Sequence, residues 1–358
     1  MQDHALRSRL SQPIAPKLEM NTSDRHRSKK KDKRMATNFR LSVISIAIGL
    51  CFLSTAGMAQ TYPTQPIRLV IPYSPGGIVD FVGRTVGQQL SDILGQPVVP
   101  ENRPGAGGVV GTEAVSRAKP DGYTLLIMDP AIVINPTLLK NVGYDLFRQL
   151  DVISVISSSP LVLVVTPELK VKTFKDFIAY GKANPGKLNY ASAGIGTTPH
   201  LAGELYKQRT GIEATHVPYK GIASAYADLM SNKVQFAFSS ITGALPFTGD
   251  NSVVALATTG ERRSAAYPDK PTVLEEGLND FNVDLWVSIF APADTPPEIK
   301  AKLNAAIKTV IEKSDVKAAL AKFGIEPRNT SQEEGAAFVK AEYEKWKQVI
   351  VSANIKTE

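Results

Sequence analysis

The chain has 358 residues, of which 43% are hydrophobic, and its formal net charge is +7. Eleven of its 41 basic and four of its 34 acidic residues lie in 1–59, so the remainder holds 30 of each and carries no net charge. Nucleic-acid binding needs a basic face that displaces counterions, so we expect no nucleic-acid partner.

The only cysteine is Cys51, and the only histidines after residue 59 are His200 and His216. Disulfides, thiolate chemistry and a multi-histidine centre are thus excluded there, and we expect no metal and no cofactor.

The N-terminal segment has the order of a secretory signal peptide: a basic run at 25–34, an apolar run at 41–53 and small residues up to Ala59. We expect cleavage near Ala59, which would place the rest of the chain in the periplasm. One alternative is a membrane anchor, but the apolar run of about 13 residues is shorter than the ~20 that a span needs. A lipoprotein anchored at Cys51 is a second alternative, although Leu50 before it is too large for that signal.

After the signal segment, short β-branched runs alternate with helical patterns. The apolar residues spaced for one face of a helix are Val82, Val86, Leu90 and Ile93. A capping box at 331–334 predicts the start of a C-terminal helix. The predicted strands are 67–71, 123–128, 161–165, 188–191, 214–217, 234–238, 253–257 and 288–291. This alternation predicts an α/β fold with largely parallel sheets.

Two glycine-rich loops lie between predicted strands and helices. The first, residues 72–80, brings bare backbone N–H groups to a helix N-terminus, where an anion is favoured. Its Asp80 would cap the helix, and a plain tight turn is the alternative interpretation. The second, residues 102–108, is not a dinucleotide fingerprint, because Val110 stands where the last glycine of G-x-G-x-x-G belongs.

A third glycine loop is the richest in hydroxyl groups. Ser192, Thr197 and Thr198 lie beside a helix start, with Thr198 as the N-cap and Pro199 as the first helical residue, which suits a carboxylate. The loop narrowly misses the nucleophile elbow of hydrolases, because a tyrosine stands two positions before Ser192, where glycine is required. A serine hydrolase built on Ser192 with a nearby histidine is a remote alternative. His200 is either a structural hydrogen-bond donor or a ligand contact.

Further candidates follow other predicted strands. Tyr219 would pack on a ligand and Lys220 would attract an anion, with a solvated lysine as the alternative. Ser239 and Ser240 follow a strand at the edge where open α/β sheets bind ligands. Trp286 is expected in the core rather than against a ligand. The loops offer backbone donors without a constellation of acids, histidines or thiols, which is typical of binding without catalysis.

At these segments the sequence resembles the Bug-type extracytoplasmic solute receptors of tripartite tricarboxylate transporters. The matching stretches are YPTQPIRLVIPYSPGGIVD (62–80), LGQPVVPENRPGAGG (94–108), KPDGYTLLI (119–127), NPGKLNYASAGIGTTPHLAGEL (184–205), HVPYKG (216–221), LATTGERRSAAYPDKPTVLEEG (256–277) and FAPADTPPEI (290–299). They occur in the family's order and cover nearly all of 62–358. Each stretch is weak alone, but together they are highly specific.

The resemblance implies a two-lobed periplasmic binding protein of type II-like architecture, with a ligand cleft between lobes joined by crossing strands. Lobe one would comprise 62–162 and 285–358 and lobe two 163–284, with crossings at 161–165 and near Trp286. Such proteins close on their ligand by hinge motion. It further implies a monomeric, non-enzymatic receptor that captures a small carboxylate, either a di- or tricarboxylate or an aromatic acid. The receptor would deliver this ligand to the membrane permease components of a tripartite tricarboxylate transporter.

The resemblance also carries ligand-binding roles onto residues of this chain. Those expected in lobe one are Tyr73, Ser74, Gly76, Gly77, Asp80, Ala106 and Gly107. Those expected to face them from lobe two are Ser192, Thr197, Thr198, His200 and Tyr219. One ligand carboxylate would be held partly through ordered water.

One departure from the family bears on the ligand. Many relatives carry an Asp-Asn pair where this chain has Ser239-Ser240, and an acid there can pair with a ligand ammonium. The change favours a neutral-tailed or purely anionic acid, unless Asp129 supplies the missing carboxylate to the site. A receptor that presents its liganded form to a sensor protein, rather than serving transport, is the alternative function.

Overall fold

The computed structural model describes residues 62–219 and 221–356, which fall within the unit Thr61–Glu358. The expected signal peptide at 1–59 and the expected anion-attracting Lys220 lie outside the described residues, so both stay predictions. Within the described part, no helix combines the length and apolar character needed to cross a membrane.

The described residues form two β-sheets, and each sheet with its flanking helices makes one lobe. The first sheet, in lobe one, has the strand order β11-β4-β10-β3-β1-β2, and the second, in lobe two, has the order β7-β6-β8-β5-β9. The strands are β1 (Ile67–Ile71), β2 (Val98–Asn102), β3 (Thr124–Met128), β4 (Leu150–Ser158), β5 (Leu161–Val165), β6 (Leu188–Ser192), β7 (Ala214–Pro218), β8 (Phe236–Ser240), β9 (Val254–Thr258), β10 (Val287–Pro292) and β11 (Glu326–Pro327).

Helices connect most of these strands. They are α1 (Ile78–Leu94), α2 (Val109–Ser116), α3 (Ala131–Leu138), α4 (Leu146–Gln149), α5 (Phe174–Ala183), α6 (Thr198–Thr210), α7 (Tyr226–Met230), α8 (Ile241–Gly249), α9 (Pro297–Glu312), α10 (Ser314–Ala321) and α11 (Gln332–Ser352). In α1, Val82, Val86 and Leu90 are fully buried as predicted, whereas Ile93 is 37% exposed and lies off the buried face. The capping box predicted at 331–334 is present and begins α11, which packs on both α3 and α6.

Both sheets are mixed, so the prediction of largely parallel sheets is wrong. β1 pairs in parallel with β2 and β3, and β6 pairs in parallel with β7 and β8. β10 is antiparallel to β3 and β4, and β5 is antiparallel to β8 and β9. The reason is that β5 and β10 follow the passages of the chain from one lobe to the other. Each therefore enters its sheet against the direction of the strand–helix–strand units.

Each predicted strand is present within two residues of its predicted limits, but β2, β4 and β11 are missing from the prediction. The sequence does not predict β4, because serines interrupt its apolar run. Ser154 and Ser157 are nevertheless fully buried, and the Ser154 hydroxyl donates to the carbonyl oxygen of Thr330 at 3.0 Å. From the sequence alone, a buried serine with such a partner cannot be distinguished from a serine on the surface.

Two short crossings join the lobes and pair with each other. The chain leaves lobe one at Ser159 and Pro160 and returns at Asp284 and Leu285. The Leu285 N–H donates to Ser159 O at 2.9 Å, and Pro160 forms an isolated antiparallel bridge with Asp284. Residues 161–165 were expected to be the first crossing, but all five pair within the second sheet as β5. We therefore place the lobe limit at Ser159–Pro160 rather than after residue 162.

Candidate functional site

A cleft of about 460 Å³ lies between the two lobes. From lobe one it is lined by Tyr73, Ile78, Ala106, Gly107, Asp129, Ala131, Ile134, Asn135, Leu138 and Leu139, and from lobe two by Ala193, Ile195, Gly196, Thr197, Thr198, Pro199, Ile222 and Ser240, with Leu285 at the crossing. A larger cavity, of about 640 Å³, is lined only by residues between Pro136 and Gln149 and does not join the lobes. The interlobe cleft is therefore the candidate ligand site.

Several helices begin at the wall of this cleft. The helix starts that line it are Ile78 of α1, Ala131 of α3, Thr198 of α6 and Ser240 just before α8, together with the 3₁₀ turn Ala106–Gly108 that leads into α2. The first N–H groups of a helix lack acceptors within the helix, and the helix dipole is positive at that end. Helix starts gathered around one cavity favour an anion inside it.

Side chains of the protein itself already bond N–H groups at two of these helix starts, and a third carries an acid. The expected cap on α1 is absent: Asp80 lies in the first turn of α1, but its Oδ2 accepts at 3.0 Å from Gly76 N–H, which precedes the helix, and no side chain caps α1. Asp129 Oδ1 accepts from Ala131 N–H at 3.0 Å, at the start of α3. Ser240 Oγ accepts from an N–H in the first turn of α8 at 3.3 Å. The N-termini of α2 and α6 are different, because neither has a side-chain cap or an acid in its first turn.

The start of α6 differs by one residue from the prediction. Its N-cap is Thr197 and not Thr198, and Pro199 is the second helical residue rather than the first. The Thr197 hydroxyl donates to Gly194 O at 2.7 Å and caps no N–H of the helix. Thr198 opens the helix and lines the cleft with Thr197. The N-terminus of α6 is therefore directed at the cleft without a cap.

The approach to α2 is shaped by left-handed backbone. Gly105, Ala106, Gly107 and Gly108 all have positive φ, and only one of them carries a side chain. The Asn135 amide donates to Gly107 O at 2.9 Å and fixes this turn against α3. Backbone rather than side chains thus forms this part of the cleft wall, which includes the expected residues Ala106 and Gly107.

Asp80 was expected to contact the ligand, but the structure gives it an internal role. It is 4% exposed and does not line the cleft. Its carboxylate accepts from Arg84 Nε at 3.0 Å and from the Asn102 amide at 2.9 Å. Burial raises the pKa of Asp80, but the hydrogen bonds from Arg84, Asn102 and Gly76 outweigh burial and leave that pKa below 3.8. Asp80 therefore stays charged and holds the 72–77 loop in place.

Tyr73 and Asp129 form a hydrogen-bonded pair in the cleft wall. The Tyr73 hydroxyl donates to Asp129 Oδ1 at 2.7 Å. Burial raises the pKa of Asp129 above 3.8, although the hydrogen bonds from Tyr73 and Ala131 N–H act to lower it. Burial and the neighbouring carboxyl group raise the pKa of Tyr73 well above 10.0. Both side chains are thus partnered within the protein, and the pair disfavours further negative charge beside it.

Ser192 and the two histidines lie behind the third glycine loop rather than in the cleft. The Ser192 hydroxyl is fully buried, 2.7 Å from His216 Nε2, and accepts from Gly194 N–H at 3.0 Å. His200 Nδ1 accepts from Gly196 N–H at 3.0 Å, and its ring stacks on His216 with centroids 3.8 Å apart. His200 Nδ1 thus acts as a hydrogen-bond acceptor that holds the glycine loop.

The same cluster bears on the hydrolase alternative. A serine hydroxyl does face a histidine, but Ser192 has no exposed surface, which leaves a substrate no approach to the oxygen. Burial lowers the pKa values of His200 and His216 from 6.5 to about 4, so both rings are neutral at pH 7. The geometry supports a role in shaping the glycine loop for these three residues, including the expected ligand contacts Ser192 and His200.

The remaining expected residues are spread around the cleft. Ser74 and Gly76 are exposed and outside its lining, and Gly77 lines an adjoining side pocket. The Tyr219 hydroxyl donates to Asp228 Oδ2 at 2.8 Å, away from the cleft lining. Ser239 is fully buried beside the Tyr226 hydroxyl at 2.8 Å. The expected residues that the structure brings together on the cleft wall are Tyr73, Ala106, Gly107, Asp129, Thr197, Thr198 and Ser240.

The sequence prediction misses the apolar part of the cleft wall. Ile78, Leu138, Ile195, Ile222 and Leu285 line it, and none of them was a candidate. Leu138 of lobe one lies against the backbone of lobe two, because a Cβ placed on Gly196 would come within 2.1 Å of Leu138 Cδ2. Ile195 is 46% exposed within a glycine loop, and an isoleucine in that setting is the one local signal of an apolar contact surface. The other four read as ordinary core residues.

Among the described residues, those that line the cleft include no lysine, arginine or histidine. Across 62–219 and 221–356, no group of three or more histidine, cysteine or acidic side chains is placed to hold a metal ion. The favourable potential that the described lining residues offer an anion therefore comes from backbone groups and hydroxyls.

The chain is similar to a family of transport receptors and to several solved structures. A family model described as "Tripartite tricarboxylate transporter family receptor" matches residues 82–355. The chain is 34% identical to Protein BugT of Bordetella pertussis over 312 residues, which cover 87% of this chain and 96% of BugT. It is similar in structure to R. palustris Rpa4515 with adipate, with a TM-score of 0.69, 32% identity and coverage of 82% of this chain and 99% of the other. It is also similar to MatC (Rpa3494) from Rhodopseudomonas palustris with bound malate, with a TM-score of 0.63, 29% identity and coverage of 81% and 100%.

Proposed function

Because this chain belongs to the tripartite tricarboxylate transporter receptor family, we propose that it captures a small carboxylate in the cleft between its lobes and delivers it to a membrane transporter. The expected signal peptide supports capture in the periplasm. Two structural relatives hold adipate and malate respectively, and both of these ligands are carboxylates.

The observation that carries this proposal is that two helix starts without a side-chain cap line the cleft, one from each lobe. The N-terminus of α6 at Thr197 and Thr198 belongs to lobe two, and the approach to α2 at Ala106 and Gly107 belongs to lobe one. A carboxylate placed between them would accept from both lobes at once. Since the favourable interactions are complete only when the lobes are close together, the same carboxylate would favour closure about the Ser159–Pro160 hinge.

The helix start at Thr197 gives a direct test. Thr197→Asp would put a carboxylate at the N-cap of α6, where it caps the helix and occupies the position proposed for the ligand anion. Thr197→Asn is the matched control, because it can cap the helix without adding charge. Binding of adipate, malate and benzoate to the purified protein is measured by isothermal titration calorimetry, with melting temperature as the check on folding.

We expect at least one of these acids to bind the wild-type protein and Thr197→Asp to bind it at least about tenfold more weakly than Thr197→Asn does. Equal affinities in the two variants would contradict the assignment of the α6 N-terminus to the ligand carboxylate. If the wild-type protein bound no carboxylate even after unfolding and refolding to remove retained ligand, the proposed function would be wrong.

A further inference from the structure

We propose that the ligand carries a single carboxylate and an uncharged apolar body, and that this body enters a side pocket beside the cleft. This inference rests on the function proposed above, because it concerns the other end of the same ligand. The side pocket has a volume of about 270 Å³. Its own walls are Gly77, Val79, Trp286 and Val287, and it shares Tyr73, Ile78, Asp129 and Leu285 with the cleft.

The side pocket adjoins the cleft, since four residues line both. Apart from the Tyr73–Asp129 pair, its walls are aliphatic or aromatic. An apolar cavity of about 150 Å³ already holds benzene, so the side pocket has room for a ring or a short alkyl chain. Burial of such a group removes apolar surface from water and stabilises the complex.

Two polar atoms of the side pocket, the Tyr73 hydroxyl oxygen and Asp129 Oδ1, already have partners within the protein. The Tyr73 hydroxyl donates to Asp129 Oδ1 at 2.7 Å, and the same oxygen accepts from Ala131 N–H at 3.0 Å. An apolar ligand group placed beside this pair leaves neither the hydroxyl nor that carboxyl oxygen without a partner, which avoids the penalty of an unsatisfied buried group.

A second ligand carboxylate would be poorly accommodated. It would lie near Asp129, a group of like charge, and in the part of the chain that the structure describes no cationic side chain lines either the cleft or the side pocket. At the aspartate end of the cavity, α1 carries Asp80 in its first turn and Asp129 accepts from the first N–H of α3. The starts of α2 and α6 have neither a side-chain cap nor an acid in the first turn, and the first carboxylate is proposed to bind there.

The test compares acids that differ only in their second carboxylate. Calorimetric titrations with hexanoate and adipate, and with benzoate and terephthalate, separate an apolar from a charged far end. We expect the monocarboxylate of each pair to bind at least about tenfold more tightly. Equal or tighter binding of adipate and terephthalate would overturn this inference while leaving the proposed function intact. Absence of binding by all four acids would overturn both.

Two variants test whether the side pocket causes the preference for monocarboxylates over dicarboxylates. Asp129→Asn keeps the shape and both acceptor contacts but removes the charge, so the preference for hexanoate over adipate should fall at least about threefold. Val79→Phe should fill the pocket and weaken hexanoate at least about tenfold while acetate, which is too short to reach it, is unaffected. An unchanged preference in Asp129→Asn would contradict the inference even if Val79→Phe failed to fold, and melting temperatures of both variants serve as the folding control.

Discussion

The indole N–H of Trp286 donates to Glu342 Oε2 at 3.0 Å, which ties the second crossing to the C-terminal helix α11. The same oxygen accepts from the indole N–H of Trp346 at 3.1 Å, and both indoles are fully buried. The other carboxylate oxygen, Oε1, bonds the Lys345 ammonium. One carboxylate thus holds both tryptophans of the chain and fixes the end of the returning segment that enters β10.

Glu342→Ala should destabilise the protein, because it leaves two buried indole N–H groups without an acceptor. At about 1–2 kcal/mol for each unsatisfied donor, we expect a loss of roughly 2–4 kcal/mol in the free energy of unfolding. Urea unfolding followed by tryptophan fluorescence measures the change. Glu344→Ala, at an exposed position of the same helix, is the control and should change stability by less than about 0.5 kcal/mol. Equal stabilities of the two variants would contradict the role assigned to Glu342.

Two helical glycines should respond oppositely to alanine. A Cβ on Gly203 of α6 would lie 2.2 Å from the ring of Tyr190, which is fully buried and held by a 2.6 Å hydrogen bond to Glu204. Gly203→Ala should therefore cost about 1–3 kcal/mol through overpacking. At Gly87 of α1 the nearest atom would be 3.5 Å away, so Gly87→Ala should gain up to about 1 kcal/mol of helix propensity. Thermal unfolding of both variants measures these changes in stability. A stabilised Gly203→Ala would refute the close packing of α6 on Tyr190.

Asp284 should make stability depend on pH at the hinge. Burial raises its pKa from 3.8 to about 6, with Ser158 donating to Oδ2 at 2.8 Å and Oδ1 left without a partner. Since the folded state holds the proton more tightly than the unfolded state, this group lowers stability as pH rises from about 4 to about 6, and the loss persists at higher pH.

Asp284→Asn should remove that dependence and gain on the order of 2–3 kcal/mol at pH 7, where the wild-type carboxylate is charged. Below pH 4 the two proteins should be equally stable. Urea unfolding at pH 4 and pH 7 measures the difference, and an equal or lower stability of Asp284→Asn at pH 7 would contradict the raised pKa.

His200 and His216 should resist protonation in the folded protein. Burial lowers both pKa values from 6.5 to about 4, so the stability that they contribute is complete above pH 6.5 and is lost as pH falls toward 4. Two-dimensional NMR of the imidazole groups should show no titration of either ring above about pH 5. A ring that titrates near pH 6.5 would show that the stacked pair is accessible to water. His200 would then again be a candidate ligand contact.

The sequence identifies the loops of the site better than the side chains that act there. Local patterns are enough to predict the capping box at 331–334, the α1 face and the glycine turns, because each depends on neighbours within a few residues. Asp80 shows the limit of such patterns, since its partner Asn102 lies 22 residues away and determines that the carboxylate faces inward. The contact between Leu138 and Gly196 depends on two lobes meeting, and no local pattern predicts it. For the same reason β4, whose buried Ser154 bonds Thr330 far along the chain, is missing from the prediction.

The position of β10 in the centre of the first sheet has a consequence for biogenesis. β10 lies between β3 and β4, although it follows them by more than the whole of lobe two in the chain. During synthesis, the second sheet emerges as one continuous stretch and can complete its own core. The first sheet stays divided until Val287–Pro292 arrives. Such long-range pairing is slow to form, so the first lobe is the part that a chaperone or a protease would meet unfinished.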